Sequence, residues 1–387
     1  MRWDSAKINM DSINSKTLSF KVAGAGVFGA WIACTLRRAG HAVTLLDPYG
    51  PAHSRASSGG ESRIIRCSYG ADELYTRFAQ RSLALWLDFF SSIGRPNLFQ
   101  PTGVLWLTEP GDGHAAASRV SLRNAGIAFE DLSPEQVRSR FPQINVPSGM
   151  GAIFEEEAGA LMARQAVQAV VEEFVRIGGT YKQAALRPPE QERAGADILI
   201  YACGPWLGKL FPDLLGPRLF VTRQEILFFG IPPGDLRFQP PQLPIWLDFS
   251  AQRGMYGFPD LETRGFKLAC DRHGPPIDPD TAERIVSAAT ITQMRAYLAE
   301  RFPALADAPI VESRVCQYEN TSNGDFIIDR HPHHENVWLA GGGSGHGFKH
   351  GPAVGEYLAQ LVMGFRSTPE ARFLLANKGT EQSRVVY

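Results

Sequence analysis

Apolar and polar positions along the 387-residue chain fall into short blocks that alternate between strand and helix periods. The run 18–23 (Leu-Ser-Phe-Lys-Val-Ala) reads as a strand and leads directly into Gly24-Ala25-Gly26-Val27-Phe28-Gly29. An apolar-periodic stretch at 30–39 predicts a helix stopped by Gly40, and 43–46 predicts a second strand ending at Asp47. Helical spacing returns at 72–90, through Tyr75, Phe78, Leu83, Trp86 and Phe89, and again at 163–177, 280–301 and 352–363. Strands are predicted at 98–108, 197–202 and 336–340. Between 219 and 270 the chain is rich in aromatic and β-branched residues and prolines with little helical spacing, which predicts a mostly antiparallel sheet.

The opening block is a strand–turn–helix–strand unit carrying G-x-G-x-x-G, with an acidic residue, Asp47, 23 positions after Gly24. A lone glycine pattern is weak; the register of all four parts makes this one strong. Gly24 permits the tight turn, Gly26 lets the backbone approach a pyrophosphate, and Gly29 allows close helix–strand packing. The helix N-terminus offers unpaired N–H groups to phosphates, and Asp47 suits ribose hydroxyls while disfavouring a 2′-phosphate. Similar strand-then-turn patterns recur near residues 200 and 340, with sheet-forming segments between them. The expected fold class is therefore α/β. A discontinuous Rossmann-like nucleotide-binding domain covers 17–90, 150–222 and 312–375, and an inserted substrate domain of mostly antiparallel sheet plus helices covers 91–149 and 223–311. Residues 1–16 and 376–387 read as loose termini.

Composition narrows the function classes. Lys+Arg number 39 and Asp+Glu 40, a net charge of −1, so no broad field attracts nucleic acid or an anionic membrane. No apolar run approaches the roughly 18–20 residues of a membrane span, and 1–17 lacks the apolar centre of a signal peptide. Five scattered cysteines without a C-x-x-C pair form neither a disulfide framework nor a zinc site, and point to a reducing, cytoplasmic setting. His331-Pro332-His333-His334 lacks acidic or cysteine partners at ligand spacing and reads as a loop, so no metal is expected. Glycine stands out, with 38 copies against the roughly 27 that ordinary usage of about 7% gives. Ten of them gather in the first turn, at Gly59-Gly60, and between Gly341 and Gly347. That clustering suits backbone making room for one large, flat, phosphate-bearing group.

Two further segments carry candidate chemistry. Ser57-Ser58-Gly59-Gly60-Glu61-Ser62-Arg63-Ile64-Ile65-Arg66 places two arginines three apart in an expected loop after the second strand. Ser344-Gly345-His346-Gly347-Phe348-Lys349 opens the last helix. With Ala202-Cys203-Gly204-Pro205-Trp206, Arg223-Gln224, Tyr256-Gly257-Phe258-Pro259, Cys316-Gln317-Tyr318 and Phe326-Ile327-Ile328-Asp329, these segments make a recognisable set. Over about 19–375 the sequence resembles the monomeric sarcosine oxidase and N-methyltryptophan oxidase family, flavoprotein amine oxidases of the D-amino-acid-oxidase-like group.

The resemblance implies FAD as cofactor, cradled by Gly24, Gly26, Gly29, Asp47 and Gly345, and bonded covalently through the sulfur of Cys316 to the flavin 8α-methyl. A thiolate is the nucleophile such a linkage requires. Arg63 matches an arginine lying against one flavin face, and Lys267 a lysine on the opposite face that promotes reaction with O2. Arg66 and Lys349 match the pair that grips a substrate carboxylate, with Lys349 also touching the cofactor. Forked guanidinium donors and a point charge suit that anion. Tyr256 and Tyr318 match tyrosines of the substrate cavity, and His346 a histidine near flavin and carboxylate. The implied activity is oxidation of a secondary amino acid, N-methyl or cyclic imino. A hydride equivalent passes from the carbon next to nitrogen to flavin N5, giving an imine, and O2 is reduced to H2O2 by a monomeric enzyme.

Two departures from the family pattern bear on this. Sarcosine oxidases carry a histidine four residues after the lysine of the G-x-K-L segment, where this chain has Asp271, a further candidate catalytic residue that makes cyclic or bulkier substrates as plausible as sarcosine. Between Gly179 and Ala196 the chain also has about half the residues the family uses for a hairpin over the adenine. Two alternatives stay open: a flavin dehydrogenase serving another electron acceptor, and a non-catalytic FAD-binding protein.

Overall fold

The structure, a computed structural model, describes residues 17–191 and 195–382. The extension expected at 1–16 lies outside them, as do 383–387 of the expected loose C-terminus.

Ser19–Ala23 sits at the centre of a six-stranded sheet, parallel to Ala42–Leu46 on one side and to Ile198–Tyr201 on the other. Thr180–Lys182 closes one edge, and His334–Gly341 with the antiparallel Ile327–His331 forms the other. Helix Val27–Arg38 is buried from Val27 to Cys34. It lies between this sheet and the helices Gly351–Val362 and Ala163–Arg176, and so needs apolar residues all round. Its Trp31 meets Trp86 of helix Glu73–Ser92 edge-on, with ring centroids 5.0 Å apart.

The second sheet has eight strands in the order Ile310–Asn320, Phe220–Phe229, Phe266–Cys270, Met255–Phe258, Ile245–Asp248, Val104–Thr108, Gly151–Glu155 and Glu130–Leu132. All pairs are antiparallel except Ile245–Asp248 with Val104–Thr108. Helix Ala288–Arg301 covers one face, packing Tyr297 on Trp246. Beneath it Arg301 Nε and the carboxylate of Asp248, both essentially inaccessible, pair at 2.8 Å. A small third sheet joins Arg63–Ile65, Gly159–Leu161 and Phe99–Gln100. Among the described residues no helix is long and apolar enough to cross a membrane.

Four expectations need correction. The helix expected from 280 starts only at Ala288, capped by Ser287. Upstream, Pro275, Pro276 and Pro279 interrupt the chain, and the Asp278 carboxylate accepts from the backbone of Asp280 and Thr281, closing a separate turn. Arg63 lies on a strand rather than in a loop, because Gly159–Leu161 comes back alongside it. Gly151–Glu155 and Ile310–Asn320 belong to the eight-stranded sheet, so 150–155 and 312–320 stand with the substrate domain in hydrogen bonding. Finally, 376–382 are not loose. Lys378 is buried and donates to Asn323 and to the carbonyls of Asp325 and Arg372, and Arg372 bridges Asp72 and Asp325.

Candidate active site

The parallel strands point their carboxyl ends at a cavity of about 370 Å3, the place where open α/β sheets bind ligands. Its floor is the first glycine turn. Gly24 has φ +96°, and a Cβ there would lie 2.3 Å from the Ala202 carbonyl oxygen; a Cβ on Gly29 would lie 1.8 Å from that of Gly24. Only glycine permits this turn and this helix–strand contact. Gly26 lies at the helix N-cap and has no side chain of its own to cap it, Val27 N donates to Ser58 Oγ at 3.0 Å, and Gly26 and Val27 line the cavity. Asp47 is buried at the end of the second strand and lines the same cavity. One of its oxygens accepts from Ala25 N at 2.9 Å, the other from Tyr49 N and Gly50 N. It therefore also fastens the turn.

The cavity continues past Cys203, Trp206 and Gly341 to a wall made of Arg63, Cys316, Tyr318, Ser344, Gly345 and Phe348. The same wall borders a second cavity of about 80 Å3, which adds Arg66, Tyr256, Lys267, Asp271, His346 and Lys349. Every side chain expected around flavin and substrate thus meets at one junction, while Gly24, Gly26 and Asp47 stand at the far end of the larger space and Gly29 packs beneath the turn. Lys349 faces the smaller cavity and is not among the larger cavity's walls.

Cys316 sits in mid-strand, buried, with Sγ 3.5 Å from Arg63 Nη2. That guanidinium is held by the carbonyls of Ser57 (2.6 Å) and Ser62 (2.8 Å). Arg66 is buried with its guanidinium between the rings of Trp106 and Tyr69, 4.6 and 4.9 Å from their centroids, and it donates to the Ser68 carbonyl. Lys349 Nζ donates to Tyr69 Oη at 2.8 Å and to the His346 carbonyl at 3.2 Å. Tyr69 Oη also meets His346 Nδ1 and His350 Nε2. Burial, then the Lys349 charge, holds His350 well below the usual imidazole range.

Lys267 is buried on the strand Phe266–Cys270, so its ammonium does not reach solvent. Nζ donates to Ser62 O at 3.0 Å and Ser62 Oγ at 3.1 Å, and stands 4.2 Å from the Phe258 ring centroid. Burial, reinforced by the Arg63 charge, lowers it to about 7. Burial alone would raise Glu61 nearby, but Arg314, Lys267 and Arg264 hold it below the ordinary carboxylate range. Asp271 accepts a hydrogen bond from Tyr318 Oη at 2.7 Å. Burial followed by the Asp271 charge raises both Tyr256 and Tyr318, which stay neutral.

Sequence reasoning missed Ser62, Tyr69, Trp106, His350 and Glu319. Ser62 and Tyr69 flank the singled-out arginines and were within reach. Trp106 and His350 matter only through long-range packing. Glu319 follows Tyr318 in a strand and lines the larger cavity, buried, with Gly342 N donating to it at 2.9 Å. Burial pushes it up to about 8.

The residues present suit a flat dinucleotide cofactor: a glycine cradle at one end, and a half-buried arginine beside a buried cysteine at the other. Comparison with known proteins agrees. The profile of the family described as FAD dependent oxidoreductase matches residues 21–361. The chain is 32% identical over 363 residues to the monomeric sarcosine oxidase of Bacillus sp. (strain B-0618), covering 88% of this chain and 91% of that protein. It is 28% identical over 355 residues to the N-methyl-L-tryptophan oxidase of Yersinia pestis (strain Pestoides F), covering 87% and 93%. A modified fructosyl peptide oxidase from Aspergillus nidulans superposes with a TM-score of 0.79 at 19% identity, covering 96% of this chain and 95% of that one, a likeness of fold.

Proposed function

The chain belongs to the FAD-dependent oxidoreductase family, and from that premise we propose that it is an amine oxidase of secondary amino acids, N-methyl or cyclic imino, with O2 as electron acceptor. Bound FAD would supply the acceptor for a hydride equivalent from the carbon next to nitrogen and the route by which those electrons reduce O2 to H2O2. The observation that carries the proposal is the second cavity: two buried cations, Arg66 and Lys349, beyond the Arg63–Cys316 wall. Its volume of about 80 Å3 suits a compact amino acid.

In this reading Gly24, Gly26 and the N-terminus of helix Val27–Arg38 hold the pyrophosphate, Asp47 the ribose, and Gly345 the flavin end. Cys316 carries the covalent bond, supported by its place beside Arg63 on the shared wall. Arg66 keeps further N–H donors beyond the one given to Ser68, and with Lys349 it orients the substrate carboxylate. His346 and Tyr69 fix the position of Lys349. Tyr256 and Tyr318 line the substrate space. Lys267 supplies positive charge for O2 reduction, supported by its buried, half-neutralised ammonium. The reading includes a monomer, and a cytoplasmic setting supported by five cysteines none of which forms a disulfide.

A peroxide-coupled screen of N-methylglycine, proline, pipecolate and larger N-methyl amino acids tests the proposal. Turnover with H2O2 from at least one of them is expected. Flavin that stays oxidised with all of them would refute it, and reduced flavin that air does not reoxidise would point to a dehydrogenase.

A further inference from the structure

Charge is distributed unevenly around the smaller cavity. Four cations line it, Arg63, Arg66, Lys267 and Lys349, and Asp271 is the single carboxylate among the described lining residues. Asp271 is buried at the end of the strand that carries Lys267, and Tyr318 Oη donates to one of its oxygens at 2.7 Å. A carboxylate has about four acceptor sites, so it can take a substrate N–H alongside protein donors. The other titratable groups facing the space are Tyr256, Tyr318, Cys316 and His346. Tyr256 and Tyr318 are held neutral, as described above. His346 meets the Gly324 carbonyl through Nε2 and Tyr69 through Nδ1. Behind Asp271 stand Cys270, Arg272 and His273, the last with its ring 6.3 Å from that of Tyr318.

An amino acid in water near pH 7 is a zwitterion, and its amine must lose a proton before a hydride can leave the neighbouring carbon. Two cations that take a carboxylate and one buried carboxylate, all lining the same small space, match that zwitterion. We infer that Asp271 binds the substrate amine as its ammonium form and then accepts its proton, so that the protein takes zwitterionic secondary amino acids and deprotonates them in place. The N–H bond breaks, its electron pair stays on nitrogen, and the proton moves to a carboxylate oxygen of Asp271. No other reactant is needed. This rests on the functional reading above.

The assay is anaerobic flavin reduction in a stopped-flow instrument, with N-methylglycine and pipecolate, from pH 6 to 10, in the wild type and in Asp271→Asn. A wild type that takes the zwitterion has an apparent Kd nearly independent of pH between 7 and 9. The Asn variant binds only neutral amine, so its apparent Kd falls about tenfold per pH unit. For an amine titrating near 10, that makes it about a thousandfold weaker at pH 7. Binding of (methylthio)acetate, which has the carboxylate but no proton to lose, is read from the flavin spectrum and stays within about threefold of the wild type, reporting an intact site. A variant with the wild-type flat profile, or one weakened equally for thioether and amine, would overturn the inference. A wild-type flavin that no secondary amino acid reduces sinks the functional reading, and this inference with it. Reduction of the wild type with an unchanged variant sinks only the role of Asp271.

Discussion

Replacing Lys267 by Met keeps a linear side chain between Phe228, Phe258 and Ser62 and removes only the ammonium. With a pKa of about 7, the wild-type side chain is about nine-tenths charged at pH 6, about a tenth at pH 8 and about a hundredth at pH 9. A preorganised charge aimed at developing negative charge is worth about 10²–10³ in rate. Protein reduced anaerobically and mixed with O2 should therefore reoxidise about 10²–10³ slower at pH 6 in Lys267→Met. The wild-type rate should fall as pH rises through 7, while the variant rate stays flat. Stability gives a second readout with a defined sign. Between about 7 and the ordinary value of 10.5 the unfolded chain holds a proton that native Lys267 has released, so wild-type stability rises with pH across that window and the variant lacks the slope. A variant that reoxidises at the wild-type rate, or a wild-type rate flat from pH 6 to 9, would refute the assignment.

Three further outcomes are expected. Cys316→Ser should release all its FAD on acid precipitation while the wild type keeps it, as read from the colour of the pellet. Arg66→Met should raise the apparent substrate Kd about tenfold to a hundredfold, for a lost charge-assisted hydrogen bond of roughly 1.5–3 kcal/mol, with the flavin spectrum unchanged. Gly29→Ala would force a methyl to within 1.8 Å of the Gly24 carbonyl. It should cost at least about 1–3 kcal/mol in denaturant unfolding and leave protein depleted in FAD, and a fully flavinylated variant of normal stability would contradict the cradle.

The nucleotide-binding half of the molecule was legible because its signals are local. The strand, turn, helix and acid of 18–47 lie within thirty residues, and each part has its own composition. The late Gly341–Gly347 loop was equally plain. What escaped depends on partners far along the chain. Nothing between 57 and 66 announces that Gly159–Leu161 will turn Arg63 into a strand residue. The G-F-K-L segment carries no sign that its lysine is buried, since that follows from packing around Ser62 and Phe258. The displaced start of helix Ala288–Arg301 was readable, with prolines and an Asp turn in view, but apolar spacing outweighed them. The packed segment 376–382 was hidden because polar composition resembles a frayed end until Lys378 finds its buried acceptors.

The order in which the chain contributes to the larger cavity has a consequence for biosynthesis. Its walls come from residues 23–28 and 46–63, from 185–186 and 202–210, from Asp280, and from 316–348. Strand Ser19–Ala23 finds its partner Ile198–Tyr201 nearly two hundred residues later, and that strand waits for His334–Gly341. Closing such long loops before any contact repays them makes folding slow. A growing polypeptide therefore has no complete dinucleotide site until residues 316–348 have been made, so cofactor capture follows their synthesis and reports that the distant segments have met.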